Sequence, residues 1–96
     1  MRMMLRITIP TESGTRALKD GSFHKAMQQT MERIKPEATY FVAHEGKRCA
    51  MLFFDMRDTS EIPGIAEPWF VALNAELELV PVMNQEDLQK GLASAM

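Results

Sequence analysis

Three side chains in one stretch of the chain could move protons: Tyr40, His44 and Asp55. An imidazole exchanges protons near neutral pH, which makes His44 the natural acid–base group. Asp55 follows the apolar run Cys49-Ala50-Met51-Leu52-Phe53-Phe54. A carboxyl buried beside such a run becomes a general base as its pKa rises. With the Tyr40 phenol, the set suits proton transfer or oxygenation without a cofactor. Plainer roles compete and are the commoner ones: a solvated strand-end histidine, and an acid that reaches water or caps the next turn. A second set could hold a ligand. Arg6 offers a planar fork to a carboxylate, or pairs with Glu78 across the sheet or a dimer, which is the preferred expectation. Met27 and Met51 bring adaptable thioethers, and Phe53 and Trp69 bring flat apolar surface. Trp69 could stack on a planar ligand, although its helical spacing with Phe70 and Leu73 favours a core position.

Other chemistry is poorly served. His24 falls in the first turn of a helix, where the local dipole disfavours an imidazolium, and it reads as a surface residue. Two histidines and one cysteine among scattered acids reproduce no metal-ligand spacing, so no metal is expected. Cys49, the only cysteine, excludes an internal disulfide and behaves in its apolar run as a small hydrophobe. Lys19-Asp20-Gly21-Ser22 sets a cation and a small loop before a helix start, where anions bind, but so short a combination is common by chance. No cofactor is implied.

Composition narrows the partners. Ninety-six residues make one domain, residues 1–96. Eleven Lys and Arg against 13 Asp and Glu leave a net charge of −2. The cations form no stripe, so nucleic acid is not an expected partner. No stretch approaches the roughly 18 apolar residues of a membrane span, and Arg6 and Pro10 break any signal-peptide profile. A cytoplasmic protein without membrane contact is the expectation.

The elements that must position these residues follow from period and punctuation. Met3 to Ile9 predicts a strand that Pro10 ends. Thr11 to Lys19 predicts a short helical turn broken at Asp20-Gly21, and Ser22 is positioned to cap a helix running to Lys35. Phe23, Met27, Met31 and Ile34 mark that helix's inner stripe, and Pro36 stops it. Ala38 to His44 and Arg48 to Met56 predict a hairpin turning on Glu45-Gly46, pairing Tyr40 with Met51 and Val42 with Cys49. Asp58 to Glu61 resembles a capping box. The main helix is expected from Glu67, which keeps Pro68 in its first turn, with Trp69, Phe70 and Leu73 inward. Glu76 to Met83 predicts a fourth strand, which Pro81 marks as an edge strand or else ends, and Asn84 with Asp87 opens a last helix with Leu88 and Leu92 inward.

The hairpin does not alternate apolar with polar. One face carries Tyr40, Val42, His44, Cys49, Met51, Phe53 and Asp55; the other carries Thr39, Phe41, Ala43, Arg48, Ala50, Leu52 and Phe54. A strand apolar on both faces calls for cover on both. The order of elements predicts an α+β fold of the ferredoxin-like βαββαβ type with a C-terminal helix. Its four-stranded antiparallel sheet has helices for one face only. A second copy is therefore expected on the open face, as a sheet-to-sheet homodimer.

In element order the whole chain resembles the dimeric α/β-barrel group. The segments Lys35-Pro36-Glu37-Ala38-Thr39-Tyr40-Phe41, Ile62-Pro63-Gly64-Ile65-Ala66-Glu67-Pro68 and Pro81-Val82-Met83-Asn84 are similar to a family of small uncharacterised bacterial proteins within it. Some of those carry a pantothenate-synthesis label. The chain is far too short for a nucleotide-dependent ligase and has no Gly-rich phosphate loop. The wider group contains isomerases, cofactor-free monooxygenases and ligand-sensing domains, so the resemblance implies a scaffold and not an activity. Three expectations follow: a homodimer that binds a small, partly apolar molecule between sheet and helices; a cofactor-free enzyme acting on a small aromatic or lactone-like substrate; and a purely structural dimer.

Overall fold

Residues 1–96 are all described by a computed structural model. The first strand, β1 (Arg2–Ile9), buries every second residue: Met3, Leu5, Ile7 and Ile9. Two helices follow, α1 (Thr11–Asp20) and α2 (Ser22–Ile34). The expected short turn is thus a full ten-residue helix. Gly21, at φ 85°, redirects the chain between them. The expected cap is corrected here. Gly21 is the N-cap of α2, which has no side-chain cap bond, and Ser22 is its first residue, whose backbone N–H donates to the Asp20 carboxylate at 2.8 Å. Hydrogen bonding from the Ser22 hydroxyl and then from its backbone N–H holds the Asp20 carboxyl below the ordinary carboxylate range.

The hairpin forms as expected from β2 (Ala38–His44) and β3 (Lys47–Asp55), with Tyr40 opposite Met51 and His44 opposite Lys47. Glu45 and Gly46 both have positive φ, 52° and 76°, the mirror-image turn that matches strand twist. A capping box closes at Asp58 and Glu61, as the sequence pattern predicts. It seeds a single 3₁₀ turn and then α3 (Ile62–Leu73).

The main helix therefore starts at Ile62 and not near Glu67, which leaves Pro68 in its interior. An interior proline removes a helical hydrogen bond and costs about 3 kcal/mol. Ile65, Trp69 and Leu73 form one stripe at i, i+4, i+8 and are essentially fully buried. Burying each such side chain contributes about 1.5–3 kcal/mol, enough together to hold the helix through the proline. Phe70, expected inward, lies a third of a turn away and is 43% exposed. The last elements are β4 (Glu76–Pro81), ended by its proline, and α4 (Gln85–Ala95), which opens on a capping box between Asn84 and Asp87.

The sheet order is β2-β3-β1-β4, every pair antiparallel. With α1, α2 and α3 on one face, this is a ferredoxin-like α+β fold. The core lies between that face and the helices, built from Leu5, Ile7, Leu52, Phe54, Met27, Ile34 and the α3 stripe. At its centre the Trp69 indole Nε1–H donates to Thr30 Oγ1 at 2.8 Å, and the Thr30 hydroxyl donates to the Ala26 carbonyl at 2.9 Å. Phe23 meets Trp69 edge to face at 6.0 Å between ring centres.

Leu88 and Leu92, expected inward, are both exposed, and α4 has no buried residue. The chain leaves the sheet edge after Pro81 and carries α4 away from the helical layer. The radius of gyration, 15.1 Å, reflects this. A compact chain of this length would have about 12.5 Å.

Candidate functional site

Arg48, Ala50, Leu52 and Phe54 project from β3 toward the helices, and the first three pair with Ala43, Phe41 and Thr39 of β2. The helices cover the middle of this surface and reach β2 only at its start, where the Thr39 hydroxyl approaches the Met31 sulfur at 3.9 Å. Phe41 therefore faces the helical side yet is 61% exposed. Between the hairpin and the starts of α1 and α2 the surface hollows into a groove of about 540 Å³. Ile9, Phe23, Phe41, Ala43 and Ala50 supply its apolar walls. Thr11, Lys47 and Arg48 supply its polar rim, and no acid lines it.

Arg48 is placed by its neighbours on α1. Its Nη1 donates to the Thr11 carbonyl at 3.3 Å and to Thr15 Oγ1 at 3.2 Å. Gly14 makes room for this: a Cβ there would come within 3.0 Å of Arg48 Nη1 and 2.9 Å of the Ile9 methyl. A glycine inside a helix costs about 1 kcal/mol against alanine, and this close approach is its structural reason. A second groove, about 480 Å³ between α2 and α3, is lined by Gln29, Thr30, Glu32, Arg33, Gly64 and Pro68.

The open face of the sheet holds most of the residues that the sequence singled out. Met4, Tyr40, Val42, Met51, Phe53 and Val80 lie on it and remain partly or largely exposed. Arg6 is there too, paired with Glu78 at 3.1 Å as expected. Cys49 is buried beside Thr8, whose hydroxyl approaches its sulfur at 3.8 Å.

Tyr40, His44 and Asp55 share this face but are not brought together. His44 sits opposite Lys47, Tyr40 opposite Met51, and Asp55 at the far end of β3, opposite Arg2. Eight residues of strand separate the two ends, about 26 Å at 3.3 Å per residue. His44 lines a cleft of about 220 Å³ with Arg6, Thr8 and Glu78. Asp55 lies in another, with Arg2 and Glu37. Asp55 is also exposed, not buried, and its carboxyl is bonded by the Met1 ammonium at 2.7 Å. That contact holds its pKa below the ordinary range, the opposite of the rise a general base needs.

The five expected ligand residues divide between the two sides of the sheet. Met27 and Trp69 are buried in the core on the helical side, while Arg6, Met51 and Phe53 lie on the open face. Strand alternation forbids their meeting, since the sheet lies between them. Trp69 has no exposed surface to stack on a ligand. The groove residues Phe41 and Arg48 were missed. Their signal was present: Arg48 is the one charge on the otherwise apolar Thr39-to-Phe54 face of the hairpin.

No group of three or more His, Cys, Asp or Glu side chains is arranged to hold a metal ion. No helix is long and apolar enough to cross a membrane.

As a class, then, the chain is a ferredoxin-like α+β domain with an uncovered sheet face and an apolar groove beside its hairpin. Among solved structures it is similar to a de novo designed protein, Ferredog-Diesel, with 15% sequence identity over 84% of this chain and 85% of that one and a TM-score of 0.49. No protein-family model and no curated protein matches the chain.

Proposed function

We propose that this chain is a small-molecule-binding homodimer of the dimeric α/β-barrel kind. Each copy holds a small, partly apolar compound in the groove between hairpin and helices, and the open sheet faces meet. The observation that carries the binding role is Phe41, an aromatic turned toward the helical side yet 61% exposed over a groove of about 540 Å³. Ligand sites have that size, mostly apolar walls and few polar groups.

The surface area supports self-association. It is 6579 Å², where a compact monomer of 10.9 kDa would expose about 5,600 Å². The excess, about 1,000 Å², is close to the roughly 800 Å² that each partner buries in a standard interface. Tyr40 and Val42 on the edge strand, Met51 and Phe53 beside them, and the unpartnered Leu88 and Leu92 of α4 are the surfaces that a second copy would cover. The catalytic alternative has less support, because its three residues lie apart.

A thermal-shift screen of the full chain against small aromatic compounds tests the binding role. A ligand at a hundred times its dissociation constant adds about 2.7 kcal/mol, on the order of 10 °C for a domain of this size. Phe41→Ala should remove that shift. A screen in which no compound moves the melting point refutes the proposal.

A further inference from the structure

We infer that the groove selects carboxylates: its ligand is an organic acid with an aromatic or short aliphatic body, whose charged end meets Arg48. This rests on the groove being a binding site, and it adds the class of ligand.

The charge pattern is one-sided. Arg48 and Lys47 border the groove, and no acidic side chain lines it. Cations elsewhere on the strands are neutralised: Arg2 lies against Glu37 and Asp87, and Arg6 against Glu78. Arg48 forms no such ion pair. Its only bonds run from Nη1, at 3.2 and 3.3 Å, to uncharged oxygens on α1. Those bonds fix the guanidinium over Gly14 and leave Nε and Nη2 without a partner in the chain. These two nitrogens form the edge of the guanidinium that receives a carboxylate through two parallel hydrogen bonds.

Position adds to charge. The guanidinium lies beside the first turn of α1, whose N-cap is Pro10 and which has no side-chain capping bond. Its early N–H groups point outward and favour a nearby anion. The walls opposite, Phe23, Phe41 and Ala50, suit a hydrocarbon body. An apolar wall with one planar cation at its rim describes a monocarboxylic acid better than a bare inorganic anion, which would gain nothing from the walls.

The test uses the full chain, ¹⁵N-labelled and followed by two-dimensional NMR. The probes are 1-naphthylacetate, its neutral amide 1-naphthylacetamide, and inorganic phosphate. Expected are shifts at Phe23, Phe41 and the Arg48 Nε–H with the acid, at least tenfold tighter binding of the acid than of the amide, and no saturable shift with phosphate. Arg48→Gln should bring the acid down to the affinity of the amide. Equal binding of acid and amide by the wild type overturns the inference and leaves the groove as a site for neutral compounds. Phosphate binding as tightly as the acid overturns it as well, since the walls then contribute nothing. If neither organic probe shifts the groove resonances at millimolar concentration, the binding role itself fails. Because the acid–amide comparison is made on the wild type, it does not depend on how the variant folds.

Discussion

Leu52 and Phe53 are neighbours in β3 with opposite surroundings, and aspartate at each should fail in a different way. Leu52 has no exposed surface and lies in the core opposite Leu5. An unpaired carboxylate there carries a desolvation penalty of several kcal/mol. That is comparable to the whole stability of a small domain, about 5–15 kcal/mol. Leu52→Asp should be unfolded at neutral pH at any protein concentration. Phe53 lies on the open face opposite Met4, partly exposed in the single chain. Within one chain, aspartate there keeps access to water and should leave the fold intact. Between two copies packed face to face, the substitution occurs twice, because a two-fold interface presents the same patch from both sides. At about 3 kcal/mol for each desolvated carboxylate, the total is about 6 kcal/mol. Since about 1.4 kcal/mol is tenfold, the dimer should weaken on the order of 10⁴-fold. Sedimentation equilibrium and far-ultraviolet circular dichroism separate the two effects. The expected result is a folded monomer for Phe53→Asp, an associated wild type at micromolar concentration, and an unfolded Leu52→Asp. A folded wild-type monomer at 100 µM would refute the reasoning, as would a Phe53→Asp protein that associates like the wild type.

Two further outcomes follow from the core and the caps. Thr30→Val removes the acceptor of the buried Trp69 indole and should cost about 1–3 kcal/mol, read by urea unfolding followed by far-ultraviolet circular dichroism, which serves equally when the sole tryptophan is replaced. A smaller loss for the same change in a Trp69→Phe background would show that the bond, and not volume, is responsible. Asp58 caps the start of the α3 region, and hydrogen bonds from the Ser60 hydroxyl and backbone N–H hold its pKa below the reference value of 3.8. A depressed folded pKa means that the stabilisation is fully present above the unfolded value and is lost as the pH falls through the folded one. Asp58→Ala should therefore lower the melting temperature at pH 7, with the gap to the wild type closing below the reference pKa of 3.8. A gap that stays constant down to pH 2 would contradict the capping role.

Much of the scaffold could be read directly from residue spacing. The hairpin register came from Glu45-Gly46 alone, because a two-residue turn leaves one way to pair the flanking strands. The capping box at Asp58 and the start of the last helix at Asn84 came from an acceptor and an acid three residues apart, a signal that is complete within one turn of chain. The errors at Pro68 and in α4 have a common origin in tertiary packing. Pro68 marked a helix start on local grounds, yet the buried stripe of Ile65, Trp69 and Leu73 carries the helix through it. Leu88 and Leu92 have helical spacing and were expected to face a core that, within one chain, α4 does not reach.

The candidate site was less legible than the scaffold, for a geometric reason. Period-two alternation says which residues share a face of a strand, and it placed Tyr40, His44 and Asp55 together correctly. It says nothing of how far along that face they lie, or of whether helices cover it. The groove depends on both: the helical layer leaves β2 uncovered beyond Thr39, which exposes Phe41, and Gly14 lets Arg48 lie against α1.

By itself, the sequence determined the element order, the turn, the caps at Asp58 and Asn84 and a hairpin apolar on both sides, since each is decided by residues a few positions apart. Only the tertiary structure decided which of those apolar residues became core, which lined a groove and which stayed uncovered. Those outcomes depend on where separately encoded helices come to rest on the sheet, and that is set by packing across the whole chain.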